Sequence, residues 1–453
     1  MTTRRRLVAA AAVLSLVAAA CGDDDDAADE PDAVDTPGTA EATTAAAGGT
    51  EPAATEGGGA EPTATGGGGT APEATEGGGT EPAATGATTG TADAGTQPSD
   101  TASATGSGPA GEGLAAVCPD PIVIQTDWFP ESEHGALYEM VGEGYTVDTD
   151  AKVVTGPLVA GGEEMGVDIE VRTGGPAIGF QAVSVQQYAD DSIMLGYGNT
   201  EGQVIRWEET PTISVVAPLE INPQIIYWDP ETYPDVQTLA DLGEEGVTIN
   251  IFEGGTFAEV FVGQGIWSED QIDPSYDGSP ARFIAENGAI AQQGFASAEP
   301  YTYENVFEDW GKPVDYELLH DAGFEVYSQT LSVRPDQMEQ LAPCLEQFVP
   351  IVQQAQVDFI NNPDRANAII IDAVAQYADF WEYDEGLAEY SVETQRELGL
   401  VGNGPDDTLG NMEEDRIQGV IDQIRDDAGI AIAEDLVAAD LFTNEFIDDT
   451  IGL

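Results

Sequence analysis

IVIQTDWFPESEHGALY, residues 122–138, decides how the rest of the chain is read. Ile122 to Gln125 has the short apolar run of a buried strand, and Thr126-Asp127-Trp128-Phe129-Pro130 forms the turn at its end. Residues 133–142 predict a first helix, with Leu137, Tyr138 and Val141 at helical spacing. Ligands of open α/β sheets bind beyond the carboxyl ends of the strands, so this turn would face a site. Its Trp, His, Tyr and acids suit the holding of a flat polar ring.

Working outward, strands and helices alternate, which indicates an α/β architecture with mainly parallel sheets. Residues 168–172, 193–197, 212–218 and 224–228 read as strands, and 182–190 as a helix. The pattern then restarts with a short helix at 236–242, a strand at 247–252, and Gly254-Gly255-Thr256 opening a helix. Thr256 fits an N-cap, and the glycines would leave backbone N–H groups open to a ligand; a plain strand-to-helix turn explains the same residues. Residues 290–296 form a strand leading into Ser297-Ala298-Glu299-Pro300-Tyr301, and 324–333 a strand returning to the first domain. Everything after that reads as helical: 337–361, 363–377, 412–427 and 431–441.

The chain has 453 residues and a formal net charge of −71, with 84 acidic side chains against 13 Lys and Arg. A nucleic-acid reader needs basic patches to displace counterions from phosphates, so no nucleic-acid partner is expected. The acidity reads as a solvated, self-repelling surface.

Residues 1–20 have the pattern of a secretory signal peptide: Arg4-Arg5-Arg6, an apolar run from Leu7, then Ala18-Ala19-Ala20. That run is too short to span a bilayer. It ends at Cys21-Gly22, which resembles a bacterial lipobox, so Cys21 is expected to carry lipid; ordinary cleavage after Ala20 would instead release the protein. Residues 21–117 hold no Lys, Arg, Phe, Trp or Tyr and repeat the decamers EPAATEGGGA, EPTATGGGGT and APEATEGGGT. Such a stretch cannot bury enough apolar surface to fold and is read as a disordered acidic spacer. Cys118 and Cys344 remain as an even pair in an extracytoplasmic chain, for which a disulfide is the default and two separate thiols the alternative.

Asp127-Trp128-Phe129-Pro130, His134 and Tyr138, followed by Gly174-Gly175-Pro176-Ala177-Ile178-Gly179, resemble the substrate-binding proteins of ABC importers of the thiamine-pyrimidine-precursor, sulfonate and nitrate family. Gln293-Gly294-Phe295 with Glu299-Pro300-Tyr301, and Asn361-Asn362-Pro363-Asp364 between two helices, extend the resemblance to roughly 120–380. It implies a periplasmic-binding-protein-like type II fold: two α/β domains joined by two crossing strands, with a helical C-terminal part. The expected division is 118–217 plus 328–453 for the first domain and 218–327 for the second. The partners implied are a small-molecule solute, an ABC permease and, through the lipid anchor, the outer face of the cell membrane.

On this reading Trp128 stacks on a planar ligand, or packs in the core. Asp127 accepts from a ring amine, or caps a helix. His134 donates to the ligand, or is satisfied by its own helix, and Tyr138 lines the site or joins the core. Gly174 and Gly175 let backbone approach the ligand. Asn199 and Asn222 offer neutral polar groups, Gly255 and Thr256 a helix start, and Glu299 and Tyr301 the opposing domain's contribution. The family's pyrimidine-precursor members commonly carry Asn after the Trp-x-Pro, where this chain has Glu131. A Glu131–Glu299 pair would point to a solute bearing amines or ring N–H groups. Arg172 is the one base near these motifs, so a sulfonate or nitrate ranks second. Relatives of the fold also include pyridoxal-phosphate enzymes of pyrimidine synthesis. Their Schiff base needs a Lys, and beyond the signal region this chain has only Lys152 and Lys312, neither in a site-like motif. No enzyme activity, cofactor or metal site is expected; the two distant His residues, His134 and His320, do not suggest one.

Overall fold

The computed structural model describes residues 113–453. The signal peptide, Cys21 and the repeat-bearing spacer expected from the sequence lie outside these residues.

Strand β1 (Ile122–Gln125) is buried along its whole length. Its apolar run explains this: it lies inside a sheet, with a parallel neighbour on each side. One flank holds β2 (Thr146–Asp148), β3 (Val153–Ala160) and β4 (Glu163–Arg172), two antiparallel hairpin pairs in succession. Gly161 and Gly162, both at positive φ, make the two-residue turn between β3 and β4. The other flank holds β5 (Leu195–Gly198), β6 (Ile213–Val216) and the late-returning β12 (Thr330–Val333), in the order β2-β3-β4-β1-β5-β12-β6. A second sheet has the order β11 (Asp315–Leu318), β7 (Gln224–Trp228), β10 (Ala291–Phe295), β8 (Ile249–Asn250), β9 (Ile272–Asp273). The chain crosses from the first sheet to the second after β6 and returns before β12. This is the two-lobed α/β architecture with two crossings that the resemblance implies.

The sheets are mixed and not mainly parallel. The β2–β4 hairpins and the insertion of β12 between β5 and β6 introduce antiparallel pairs, as does β7 between β10 and β11. The predicted strand over 324–333 pairs only from Thr330, and the residues before it form the returning crossing.

The expected first helix is split. A 3₁₀ turn (Ser132–His134) precedes the five-residue α1 (Gly135–Glu139), which ends before Gly142. It is followed by α2 (Val183–Ala189), α3 (Thr200–Arg206), α4 (Leu239–Glu245), α5 (Thr256–Gly263), α6 (Ala281–Ala285) and α7 (Glu299–Asn305). Helices α8 (Met338–Asn361), α9 (Asp364–Tyr377) and α10 (Glu385–Glu397) bury their apolar faces with β1, β4 and β5 in one core. Helix α11 (Glu414–Asp422) and the π turn after it put Ile417, Val420, Ile421 and Ile424 into the core of the second sheet instead. The helix expected over 431–441 is confined to α12 (Ala438–Leu441). A disulfide joins Cys118, just before β1, to the buried Cys344 of α8. No helix among the described residues is long and apolar enough to cross a membrane.

Candidate functional site

Four strands point their carboxyl ends at one cavity. The turn after β1 brings Asp127 and Trp128, the residue after β5 is Asn199, Phe252 and Gly255 follow β8, and Glu299 follows β10. The cavity has a volume of about 410 Å³, of a size for a small organic solute. Asn222 comes from the first crossing, Ser328 and Gln329 from the second, and Trp381 from the α9–α10 connection.

The Trp128 turn is braced from inside. Thr126 Oγ1 donates to the Trp128 carbonyl (2.9 Å), which also accepts the Gly174 N–H (2.9 Å), while the Gly175 N–H donates to the Asp127 carbonyl (2.9 Å). The two glycines thus spend their N–H groups on this turn and not on a ligand. Gly175 adopts φ +55, and a Cβ there would lie 2.7 Å from the Trp128 ring, so both backbone and space require glycine. Gly174 supports the same turn from behind and is not part of the lining, whereas Gly175 is. Trp128 itself meets Phe180, Phe252 and Trp381 at centroid distances of 6.1, 6.2 and 6.3 Å. One indole thereby gathers aromatic rings from both lobes and the helical part.

The electrostatics of the cavity are one-sided. Asp127, Glu131, Glu133, Glu201, Glu253 and Glu299 line it, and among the described residues no Lys or Arg does. Burial raises the Glu131 carboxyl well above its ordinary range, helped by the neighbouring Glu133, Asp127 and Glu299 carboxylates. Burial raises Glu133 too, against a hydrogen bond from Ser297 that holds it down. Glu299 is pushed up to about 7 by burial, although its Oε2 accepts the Phe295 N–H at 2.6 Å. Glu201 is pushed up to about 7 by burial alone. Such a wall is costly unless a bound group supplies donors or positive charge. The buried Ser297–Glu133 hydrogen bond joins the two lobes beside the cavity, and the Tyr390 hydroxyl donates to the Ala296 carbonyl (3.2 Å), so the lobes touch.

Of the residues singled out in the sequence, Asp127, Trp128, Gly175, Asn199, Asn222, Gly255 and Glu299 line the cavity together. Asn199 uses its Oδ1 to cap α3 through the Gly202 N–H (2.7 Å), and Asn222 Oδ1 accepts the Gln224 N–H (3.1 Å). His134 does not line it. It is fully buried against the Tyr197 ring and reaches the site only through Nε2, 2.8 Å from Asp127 Oδ1. Tyr138 is core, with its phenol pushed well up by burial. Thr256 is the first residue of α5 and not its cap; Gly255, with extended backbone, holds the cap position. Tyr301 faces away and packs on Tyr390 of α10 at 5.4 Å. Arg172 is bound by Glu170 and Asp190, Lys152 by Asp379, and Lys312 by Asp229 and Glu231, all off the lining.

Glu133, Glu201, Phe180, Phe252, Gln329 and Trp381 are lining residues that sequence reasoning did not reach. The one advance signal was the density of acids and aromatics near strand ends.

No protein-family model matches the sequence, and no curated protein matches it. Several solved structures are similar. One is the ligand-binding component of an ABC-type import system from Staphylococcus aureus with zinc bound: 12% identity, TM-score 0.46, covering 72% of this chain and 97% of that one. Another is the periplasmic nitrate-binding protein NrtA from Synechocystis PCC 6803, at 13% identity and TM-score 0.44 over 73% of this chain and 88% of that one. A third is the periplasmic aliphatic sulphonate binding protein SsuA from Escherichia coli, at 14% identity and TM-score 0.38 over 63% and 89%. Likeness this distant does not bear on what this chain binds.

Proposed function

We propose that this chain is the extracytoplasmic solute-binding component of an ABC importer, closing two lobes on a small nitrogen-heterocyclic solute and presenting the closed form to a membrane permease. One observation carries the reading: a cavity walled by both lobes, with six carboxylates, a Trp128-centred aromatic cluster and, among the described residues, no basic side chain in its lining. The rings offer faces for a planar group, and the carboxylates accept from amines and ring N–H groups. The solute is thus rich in donors and of the thiamine-precursor type. Asp127, Trp128 and Glu299 are its main contacts, with Glu131 beside them. Closure is a population shift, driven by contacts that only the closed form makes on both sides.

A sulfonate or nitrate would meet six acids and no cation, which argues against the second reading. The absence of Lys from the lining likewise argues against a Schiff-base enzyme. On this reading residues 218–327 form the second lobe, with α11 and the π turn after it adding their apolar face to its core. Membrane attachment would run through lipid on Cys21, with 21–117 as tether; a lipid analogue should label the wild type and not Cys21→Ser. A thermal-shift screen over aminopyrimidines, flavins, alkanesulfonates and nitrate tests the solute class. At 100 times its Kd a ligand stabilises by about 2.7 kcal/mol, so aminopyrimidines should raise the Tm and the anions should not. A shift with sulfonates alone would overturn the reading.

A further inference from the structure

The wall of the cavity nearest the crossings carries polar groups that the fold does not satisfy. Gln329 is 2% exposed, and neither its Oε1 nor its Nε2 has a hydrogen-bond partner. The adjacent Ser328 Oγ and the facing Glu201 Oε2 are unpartnered as well. All three residues line the cavity. Native proteins leave few buried polar groups unpaired, because each one forfeits its hydration without return. Three on one wall therefore point to an absent partner.

The backbone agrees. Gln329 is one of few non-glycine residues at positive φ, +53. Such strain persists only where the surroundings impose it, and it gathers at ligand clamps and switch regions. What imposes it here is a short zipper. The Thr200 N–H donates to the Tyr327 carbonyl (3.0 Å), the Tyr327 N–H donates to Thr200 Oγ1 (3.2 Å), and Thr330 pairs with Gly198 across β12 and β5. Residues 198–201 and 327–330 therefore run side by side, which sets Glu201 and Gln329 on the same wall. Gln329 also sits in the returning crossing, where relative motion of the lobes must be absorbed.

We propose that Gln329, supported by Ser328 and Glu201, is a recognition element at the hinge that pairs with the edge of a planar aminated nitrogen heterocycle. A primary amide presents an acceptor and two donors in one plane, so it matches an edge with an N–H donor beside a ring-nitrogen acceptor. Trp128 then holds a face of that ring, and Glu201 accepts from a further amine. This rests on the solute class proposed above and names the edge by which that class is read.

Calorimetric titration of 4-amino-2-methylpyrimidine and its 4-dimethylamino counterpart into the full chain and into Gln329→Leu tests the element. The amino compound should bind the variant roughly tenfold more weakly, while the dimethylamino compound, which has no N–H to offer, should change less than about threefold. Equal losses on both compounds, or none on either, overturn the proposal while leaving the solute class intact. A probe-free measurement accompanies it. Removing an unpaired buried amide should raise the Tm of the ligand-free protein, by roughly 2 °C, whereas a lower Tm would mean that the fold itself satisfies Gln329 and would refute the element. Wild-type protein that binds neither compound refutes the heterocyclic class, and the Tm of Gln329→Leu then still decides whether the amide faces a ligand.

Discussion

Glu201→Gln offers a direct reading of how costly the acidic wall is. Burial alone lifts the Glu201 carboxyl from 4.5 to about 7, with no partner for its Oε2. The folded state therefore binds this proton more tightly than the unfolded chain does. Below the unfolded value of 4.5 both states hold the proton and the residue costs nothing. As pH rises through 4.5 to 7 the unfolded chain ionises first, and stability is lost until the folded carboxyl ionises too. Each pKa unit corresponds to about 1.4 kcal/mol, so for this half-buried carboxyl the loss above pH 7 is at most about 3 kcal/mol. Glutamine keeps the shape and removes the titration. Urea denaturation of the two proteins from pH 5 to 8.5 should show their stabilities converging at the acid end. The variant should be the more stable by roughly 1–3 kcal/mol at pH 8. A stability difference that does not change with pH, or a wild type that gains on the variant as pH rises, would refute a half-buried carboxyl left without compensation.

Other consequences are simpler. Ser297→Ala removes the buried hydrogen bond to Glu133 between the lobes. At about 1 kcal/mol this should lower the closed-to-open ratio roughly fivefold and enlarge the radius of gyration in small-angle scattering; an unchanged radius would show that closure does not use this contact. Gly175→Ala places a Cβ against the Trp128 ring at a positive φ, and should cost about 1–3 kcal/mol in denaturant titration. Reduction of Cys118–Cys344, which closes a loop spanning 226 positions, should destabilise by up to roughly 5 kcal/mol on the chain-entropy account, read as a lower urea midpoint without loss of the native fold in dilute buffer.

The sequence exposes those parts of the molecule whose signal is local. The apolar run Ile122–Ile124, bounded by a turn, reads as a strand flanked on both sides, and the Trp128 turn and Glu299 follow as strand-end residues. β2 is missed because, as an edge strand with exposed or half-exposed residues, it carries little apolar signature. Tyr301 sits two residues after Glu299 on α7, so it points to the opposite side of the helix and meets α10. His134 reads the same in sequence whether its ring faces a ligand or the interior. Tyr197, far along the chain, supplies the packing that draws it inward. Glu201, Gln329 and Trp381 are invisible for a related reason. They belong to three separate segments, brought to one cavity only by the pairing of β5 with β12 and by the folding back of the α9–α10 connection. Thr256 loses the cap position to Gly255 because backbone conformation, and not residue preference, sets where α5 begins.

On the proposed reading, the acidic lining makes this cleft take a donor-rich, nitrogen-bearing solute and refuse an anion. Isothermal titration at pH 8, where carboxyls lifted to about 7 are ionised, tests it with 4-amino-2-methylpyrimidine and a short alkanesulfonate in parallel. Saturable heat with the aminopyrimidine and none with the sulfonate is the predicted result. Saturable binding of the sulfonate, with the aminopyrimidine silent, would contradict it.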